Sequence, residues 1–176
     1  LRCMEQIRYD IAYHQVNVNI VAVGGGYAYG SLSTSHHATE EIGMLRTIPN
    51  MMVCSPSDPS EVKEILQITS SDSSPSYMRL NRSGEEHIKF IDDFELGNLH
   101  LAYQGSPKSS KKAFISNGAI CNEVYKDLVD ASSSYDLYSL PIIKPLLMDK
   151  IIEKLIMYEE IIIVEEHQLI GGLGAT

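Results

Sequence analysis

Four consecutive apolar residues, Ile161-Ile162-Ile163-Val164, leave no polar face for solvent. Such a run reads as a strand in the middle of a parallel sheet, where helices cover both faces. Parallel neighbours need crossover connections, so helices should separate the strands. The rest of the chain has that alternation. Val16-Asn17-Val18-Asn19-Ile20 alternates and then runs into Val21-Ala22-Val23, a strand entering a buried position. Met51-Met52-Val53-Cys54, Tyr77-Met78-Arg79-Leu80, the segment from Ala113 to Ser116 and that from Tyr135 to Leu140 read as further strands. The side chain of Arg79, two residues after Tyr77, is expected to point away from the core.

Helical periodicity fills the intervals. Met4, Ile7 and Ile11 share one face of a helix over 2–13, and Ile42 and Leu45 turn inward from a helix over 36–45. Ser57-Asp58-Pro59-Ser60-Glu61 is a strong helix start: Asp58 caps, Pro59 takes the first helical position, and Glu61 reaches back. Val62, Ile65, Leu66 and Thr69 form the expected buried face of that helix. Cys121, Val124, Tyr125 and Leu128 mark another helix, and Ile151, Ile152, Leu155 and Ile156 a last one. The interval 83–111 is polar and turn-rich, with short extended pieces expected at 88–91 and 99–103. The reading is therefore α/β: domains at 1–84 and 112–176, joined by a linker at 85–111, with mainly parallel sheets.

The 14 basic residues stand against 23 acidic ones, a formal charge of -9, which argues against binding to nucleic acid. No apolar run approaches the roughly 20 residues needed to cross a bilayer. The three cysteines, Cys3, Cys54 and Cys121, have no metal-ligand spacing, and a reduced, cytoplasmic compartment is expected. The chain starts on Leu1 and stops just past Gly171-Gly172-Leu173-Gly174, so a fragment or one piece of a split protein is expected.

Ligands of open α/β sheets bind at the carboxyl ends of strands. The loop after Val23 opens on Gly24-Gly25-Gly26 and carries Tyr27, Tyr29, His36 and His37 toward a helix start. Free N–H groups there suit a hydroxyl, an oxyanion or a phosphate, and keep nearby histidines neutral. Equally, one histidine could pack on the loop while the other caps the helix. Arg82, at the end of its strand, suits a bidentate contact to phosphate, or else a surface pairing with Glu85 or Glu86. Glu165-Glu166-His167 holds groups for acid–base work, though a tight strand-to-helix connection is the preferred reading. The glycine loops match neither the dinucleotide nor the phosphate-loop spacing. No Ser-His-Asp triad or metal cluster follows from spacing.

Taken together, these stretches resemble the C-terminal section of transketolase. The likeness rests on Arg2-Cys3-Met4-Glu5-Gln6-Ile7-Arg8, Val23-Gly24-Gly25-Gly26, Ser35-His36-His37-Ala38-Thr39-Glu40-Glu41, Ile48-Pro49-Asn50, Ser57-Asp58-Pro59-Ser60-Glu61 and Tyr77-Met78-Arg79-Leu80-Asn81-Arg82. Leu140-Pro141-Ile142-Ile143-Lys144-Pro145 and Glu165-Glu166-His167 through Gly174 extend it. The resemblance implies two three-layer α/β/α domains: most of a pyrimidine-binding domain, then a transketolase C-terminal domain. It implies thiamine diphosphate with Mg²⁺, the metal held by a partner domain, and transfer of a two-carbon unit between phosphorylated sugars. His36 and His37 would contact substrate, His36 also in catalysis, and Arg82 would hold the sugar phosphate. An N-terminal diphosphate-binding subunit or domain would be the partner, in a homo- or hetero-oligomer such as a dimer. Cofactor-ring contacts, including a glutamate, would lie upstream of Leu1. Two positions depart from the family: Leu32 stands where it has an aspartate, and Gly24 falls near another of its histidines. Deoxyxylulose-phosphate synthase, the β chain of a 2-oxoacid dehydrogenase, and a non-catalytic dimerisation module are the alternatives.

Overall fold

The computed structural model describes residues 2–82, 84–106 and 111–176. Ser83 of the strand-end motif and residues 107–110 of the expected linker lie outside that description, as does Leu1. Two four-stranded sheets organise the chain. The first has the order β1-β3-β2-β7, where β1 is Asn19–Val23, β2 Met52–Cys54, β3 Ser76–Leu80 and β7 Ile142–Lys144. The second has the order β4-β6-β5-β8, where β4 is His100–Tyr103, β5 Lys112–Ser116, β6 Asp136–Ser139 and β8 Glu160–Val164. In each sheet three strands are parallel and one edge strand, β7 or β4, is antiparallel.

Successive strand residues serve opposite cores, as the period of two requires. Val53, Tyr77 and Ile143 pack with Ile7, Ile42 and Leu45 on one face of the first sheet. Their neighbours Met52, Cys54, Met78 and Ile142 pack on Ile65 on the other face. The second sheet divides likewise: Ala113, Ile115 and Tyr138 pack with Ile151 and Leu173, and Leu137 packs with Cys121 and Leu128. Helices α1 (Met4–Gln6, continuing as a π-helix over Ile7–Tyr13) and α2 (Glu41–Arg46) cover one face of the first sheet, α3 (Pro59–Ser71) the other. Helices α4 (Ala119–Asp130) and α5 (Met148–Leu155) cover the two faces of the second. Both units are thus three layers deep.

Several expectations need correction. The Ile161–Val164 run is not central: β8 is an edge strand, with Ile161 and Ile163 about two-fifths exposed. Strand β1 is an edge as well, and Val21 and Val23 face solvent. Apolar runs record side-chain chemistry, whereas rank within a sheet is set by tertiary pairing. Leu66 is exposed, because the buried stripe of α3 runs through Glu61, Ile65 and Thr69 at i, i+4 spacing. Helix α2 starts at Glu41, not His36. Ala38 spends both backbone groups on Gly26, and the Thr39 carbonyl accepts from Gln168, so these residues cannot enter a helical ladder. Residues 88–91 form no strand, although the Ile91 N–H bonds Leu101. Strand β4, from the expected linker, belongs to the second sheet, while β7 returns to the edge of the first.

Cys54 and Cys121 are buried in separate cores, and burial pushes both thiols up to about 12. Cys3 is exposed. At about pH 8, near the free-thiol pKa, a thiol reagent should label one cysteine in the folded protein and all three once it is denatured. Mass spectrometry of the labelled protein checks this, and fast labelling of Cys54 or Cys121 would contradict the packing.

Candidate active site

The two sheets meet at the carboxyl ends of their parallel strands. Gly118, following β5, donates its N–H to the Ser55 carbonyl at 2.8 Å, and the Ser55 N–H donates to Pro141 at 2.7 Å. Deeper in the junction Glu61 is fully buried. Its carboxylate accepts from the Ser57 N–H (2.8 Å) and the Ser139 hydroxyl (3.1 Å), and lies 3.2 Å from His100 Nδ1. Asp58 caps α3 by accepting from the Glu61 N–H and also accepts from Ile88. Glu61 reaches back as its position in the capping pattern implies, but to Ser57, one residue before the cap.

Above this junction the loop after β1 is closed at its base by two hydrogen bonds between Gly26 and Ala38, both 2.9 Å. It turns at Gly24, whose φ of +88° suits glycine, and Tyr29 packs so closely there that a Cβ would meet its ring. His36 is exposed, its Nδ1 lies 3.0 Å from the Ser35 hydroxyl, and its ring meets Tyr29 edge-on at 6.4 Å. The Arg82 guanidinium lies over the same Tyr29 ring at 5.1 Å, a cation–π distance. His36 and Arg82 therefore come together through one aromatic ring. Glu86, the alternative partner for Arg82, faces Lys126 at 3.6 Å. His37 meets Tyr27 edge-on at 5.0 Å, and its Nε2 is buried without a hydrogen-bond partner among the described residues. Beside Arg82, a cavity of about 290 Å³ opens at the start of α3 among Pro56, Ser57, Pro59, Asn81 and Glu85.

Glu165, Glu166 and His167 act as connectors. Glu165 accepts the N–H groups of Leu173 (2.5 Å) and Gly174 (3.0 Å), and so pins the glycine-rich turn. Glu166 accepts from the Tyr27 N–H at 3.2 Å. His167 Nδ1 lies 2.8 Å from the Gln168 carbonyl and therefore carries a proton, leaving Nε2 to accept from the Gly43 N–H at 3.1 Å. Arg46 donates to the carbonyls of Gly171 and Gly172; burial lowers its pKa, and Glu165 opposes that. Contrary to the expectation that it points outward, Arg79 is buried on the face it shares with Tyr77, two residues before it, with its Nε 3.0 Å from Glu41. Tyr77 beside it is pushed upward by burial and then by the Glu41 charge. Neither Arg79 nor His100 gave a sequence signal, since the partners of both lie far away along the chain.

The hollows over the glycine loop are filled by the chain's own Tyr29, Arg79 and Glu166. No group of three or more His, Cys, Asp or Glu among the described residues could hold a metal, and no helix among them is long and apolar enough to cross a membrane. These residues do not by themselves fit thiamine diphosphate or Mg²⁺.

Residues 1–84 match the family described as transketolase, pyrimidine binding domain. That match, on a mainly parallel sheet with a glycine-and-histidine loop at its carboxyl end, defines the class: a pyrimidine-binding domain of the transketolase type. Similarity continues past that domain. One of the subunits of the apulose-4-phosphate transketolase of Phocaeicola vulgatus is 32% identical, over 99% of this chain and 56% of that protein. A split-gene transketolase solved as an inactive β4 tetramer is 29% identical with a TM-score of 0.79, over 99% of this chain and 56% of that one. The 1-deoxy-D-xylulose-5-phosphate synthase of Glaesserella parasuis is 27% identical, over 99% of this chain and 28% of that protein. The chain belongs to the transketolase family, and it spans about half the length of the transketolase subunit it matches.

Proposed function

We infer that this chain is the C-terminal part or subunit of a transketolase-like enzyme that moves a two-carbon ketol unit between phosphorylated sugars. The observation that carries the reading is the meeting of His36 and Arg82 on Tyr29, beside the cavity at the start of α3. A sugar phosphate has hydroxyls and a carbonyl at one end and a dianion at the other. Arg82 holds the dianion through its planar fork. His36, exposed at the loop tip, hydrogen-bonds the hydroxyls or the carbonyl oxygen and stabilises charge developing there. His37 sits one residue further along, its ring edge-on to Tyr27 at the side of the same loop. When bound in the assembled enzyme, thiamine diphosphate would supply the nucleophilic carbon that this chemistry needs. Its ring, diphosphate and Mg²⁺ contacts fall to an N-terminal domain or subunit and to elements outside the described residues. The inactive β4 assembly of the split-gene relative supports the view that this chain alone is inactive.

The test uses the assembled enzyme, with the N-terminal section present. His36→Ala should lower kcat by about 10²–10³-fold, as for loss of a charge-stabilising donor, and leave cofactor affinity nearly unchanged. Arg82→Ala should mainly raise KM for phosphorylated sugars. Equal loss of cofactor binding in both variants would refute the assignment. The similarity to deoxyxylulose-phosphate synthase favours a second reading, in which pyruvate is the donor. Turnover of pyruvate, with none of a ketose phosphate, would select it.

A further inference from the structure

Arg79 is a buried arginine in the middle of β3, paired across the sheet with Ala22 and only 6% exposed. Burying a guanidinium is costly unless its charge and donors are met; here a carboxylate answers the charge as an ion pair, outside hydrogen-bond geometry, and one terminal nitrogen donates to two carbonyls. Nε lies 3.0 Å from the Glu41 carboxylate at the first turn of α2. One terminal nitrogen donates to the Ala38 carbonyl, and also to the Glu166 carbonyl at 3.0 Å. Space for its stem exists because position 25 is glycine; a Cβ there would meet Arg79 Cγ and Nε.

Each of those contacts bears on the loop that carries the histidines. Ala38 directly follows His37 and is the residue that closes the loop on Gly26. Glu166 comes from the end of β8 in the second sheet, and its carboxylate also accepts from Tyr27 at the other side of the loop. Gln168, two residues on, donates to Thr39 at 2.9 Å. The loop base is thus gripped from β3, from α2 and from the second sheet, and Arg79 is the group common to all three. We propose that Arg79 is a positioning residue: it touches no substrate, but fixes the pose of the 26–38 loop and thereby the aim of His36 and His37. The proposal rests on the substrate-binding reading of that loop. Arginine is specified because one planar fork meets a carboxylate and two carbonyls at once; lysine offers a single point of charge.

The test compares Arg79→Met, Arg79→Lys and His36→Ala in the assembled enzyme, by amide hydrogen exchange and by kinetics. In Arg79→Met, protection should be lost across residues 26–40 while α3 and β5 keep theirs, and kcat should fall on the order of 10²-fold, the scale for misplaced catalytic groups. KM for the sugar phosphate should rise as well, because Tyr29, the ring on which Arg82 rests, belongs to the same loop. Arg79→Lys keeps the charge beside Glu41, so it should recover part of both losses and serve as the folded comparison if the methionine variant proves unstable. Unchanged exchange over 26–40 in both variants would overturn the positioning role. A loosened loop with kcat intact would overturn its functional half. If His36→Ala also left kcat intact, the fault would lie with the reading of the loop as a substrate site; if His36→Ala were inactive, it would lie with Arg79.

Discussion

Glu61→Ala should destabilise the folded chain by about 3–5 kcal/mol, the usual cost of removing one member of a buried ion pair. The side chain is fully buried, and three groups converge on it from the residue before the cap of α3, from β6 and from β4. On its far side His100 Nε2 lies 3.0 Å from the Asp92 carbonyl, which can only accept, so that nitrogen carries a proton. A hydrogen bond from Nδ1 to Glu61 then needs one more proton, held on either the ring or the carboxyl group. The bond is charge-assisted in the first case and neutral in the second, and in both it lies in a low-dielectric junction. Phe90 stacks on the imidazole at 3.7 Å and blocks its escape to solvent. Alanine would leave the Ser57 N–H, the Ser139 hydroxyl and His100 Nδ1 without their acceptor, in a space too tight for the junction to relax freely. Glu61→Gln keeps the shape and one acceptor oxygen, so it should lose less. Urea denaturation of the three proteins gives the ranking. A loss below about 1 kcal/mol for alanine, the value of an ordinary exposed pair, would mean that Glu61 does not join the sheets.

This joint marks the boundary between what the sequence could tell and what it could not. The capping pattern around Asp58 was legible because it is local: cap, first-turn proline and back-reaching glutamate lie within five consecutive residues. The α/β class was legible because strand and helix periods are local too. His100 was not, since the residue it meets is separated from it by 39 positions. Arg79 differs: a strand period of two puts it on the same face as Tyr77, so its expected outward direction did not follow from the pattern. Alternation fixes only the face of the sheet, and here α2, the Gly25 loop and Glu166 cover that face. The delayed start of α2 has the same cause: hydrogen bonds from Gly26 and Gln168 compete for backbone that the hydrophobic spacing alone would assign to a helix. At the candidate site, His36, His37 and Arg82 were singled out by residue type and strand-end position. The ring that joins two of them, Tyr29, gave no sign of that role in the sequence, and its contact with Gly24 depends on a backbone angle that no side-chain pattern records.

Gly24→Ala should therefore damage both the fold and the site. An alanine at φ near +88° carries strain of about 1–3 kcal/mol. Its Cβ would also run into the Tyr29 ring, with Cδ2 and Cζ each at 2.9 Å and Cε2 nearer still. The backbone there is pinned by hydrogen bonds from Gly24 and Gly25 to the Leu80 carbonyl, so the ring must move and the turn cannot. Once Tyr29 swings away, Arg82 loses its aromatic support and His36 loses the edge it rests on. In the assembled enzyme this should raise KM for a sugar phosphate and lower kcat together, unlike the separate effects expected of Arg82→Ala and His36→Ala. A double-mutant cycle divides the cause. Tyr29→Ala in the Gly24→Ala background removes the collision and leaves only the strained backbone, so the pair should be less destabilising than the sum of the single changes. Contacting residues show coupling of about 0.5–3 kcal/mol, and thermal melts of the four proteins resolve a difference of that size. Additive losses would mean that the ring does not rest on Gly24. The geometric link between His36 and Arg82, which the functional reading depends on, would go with it.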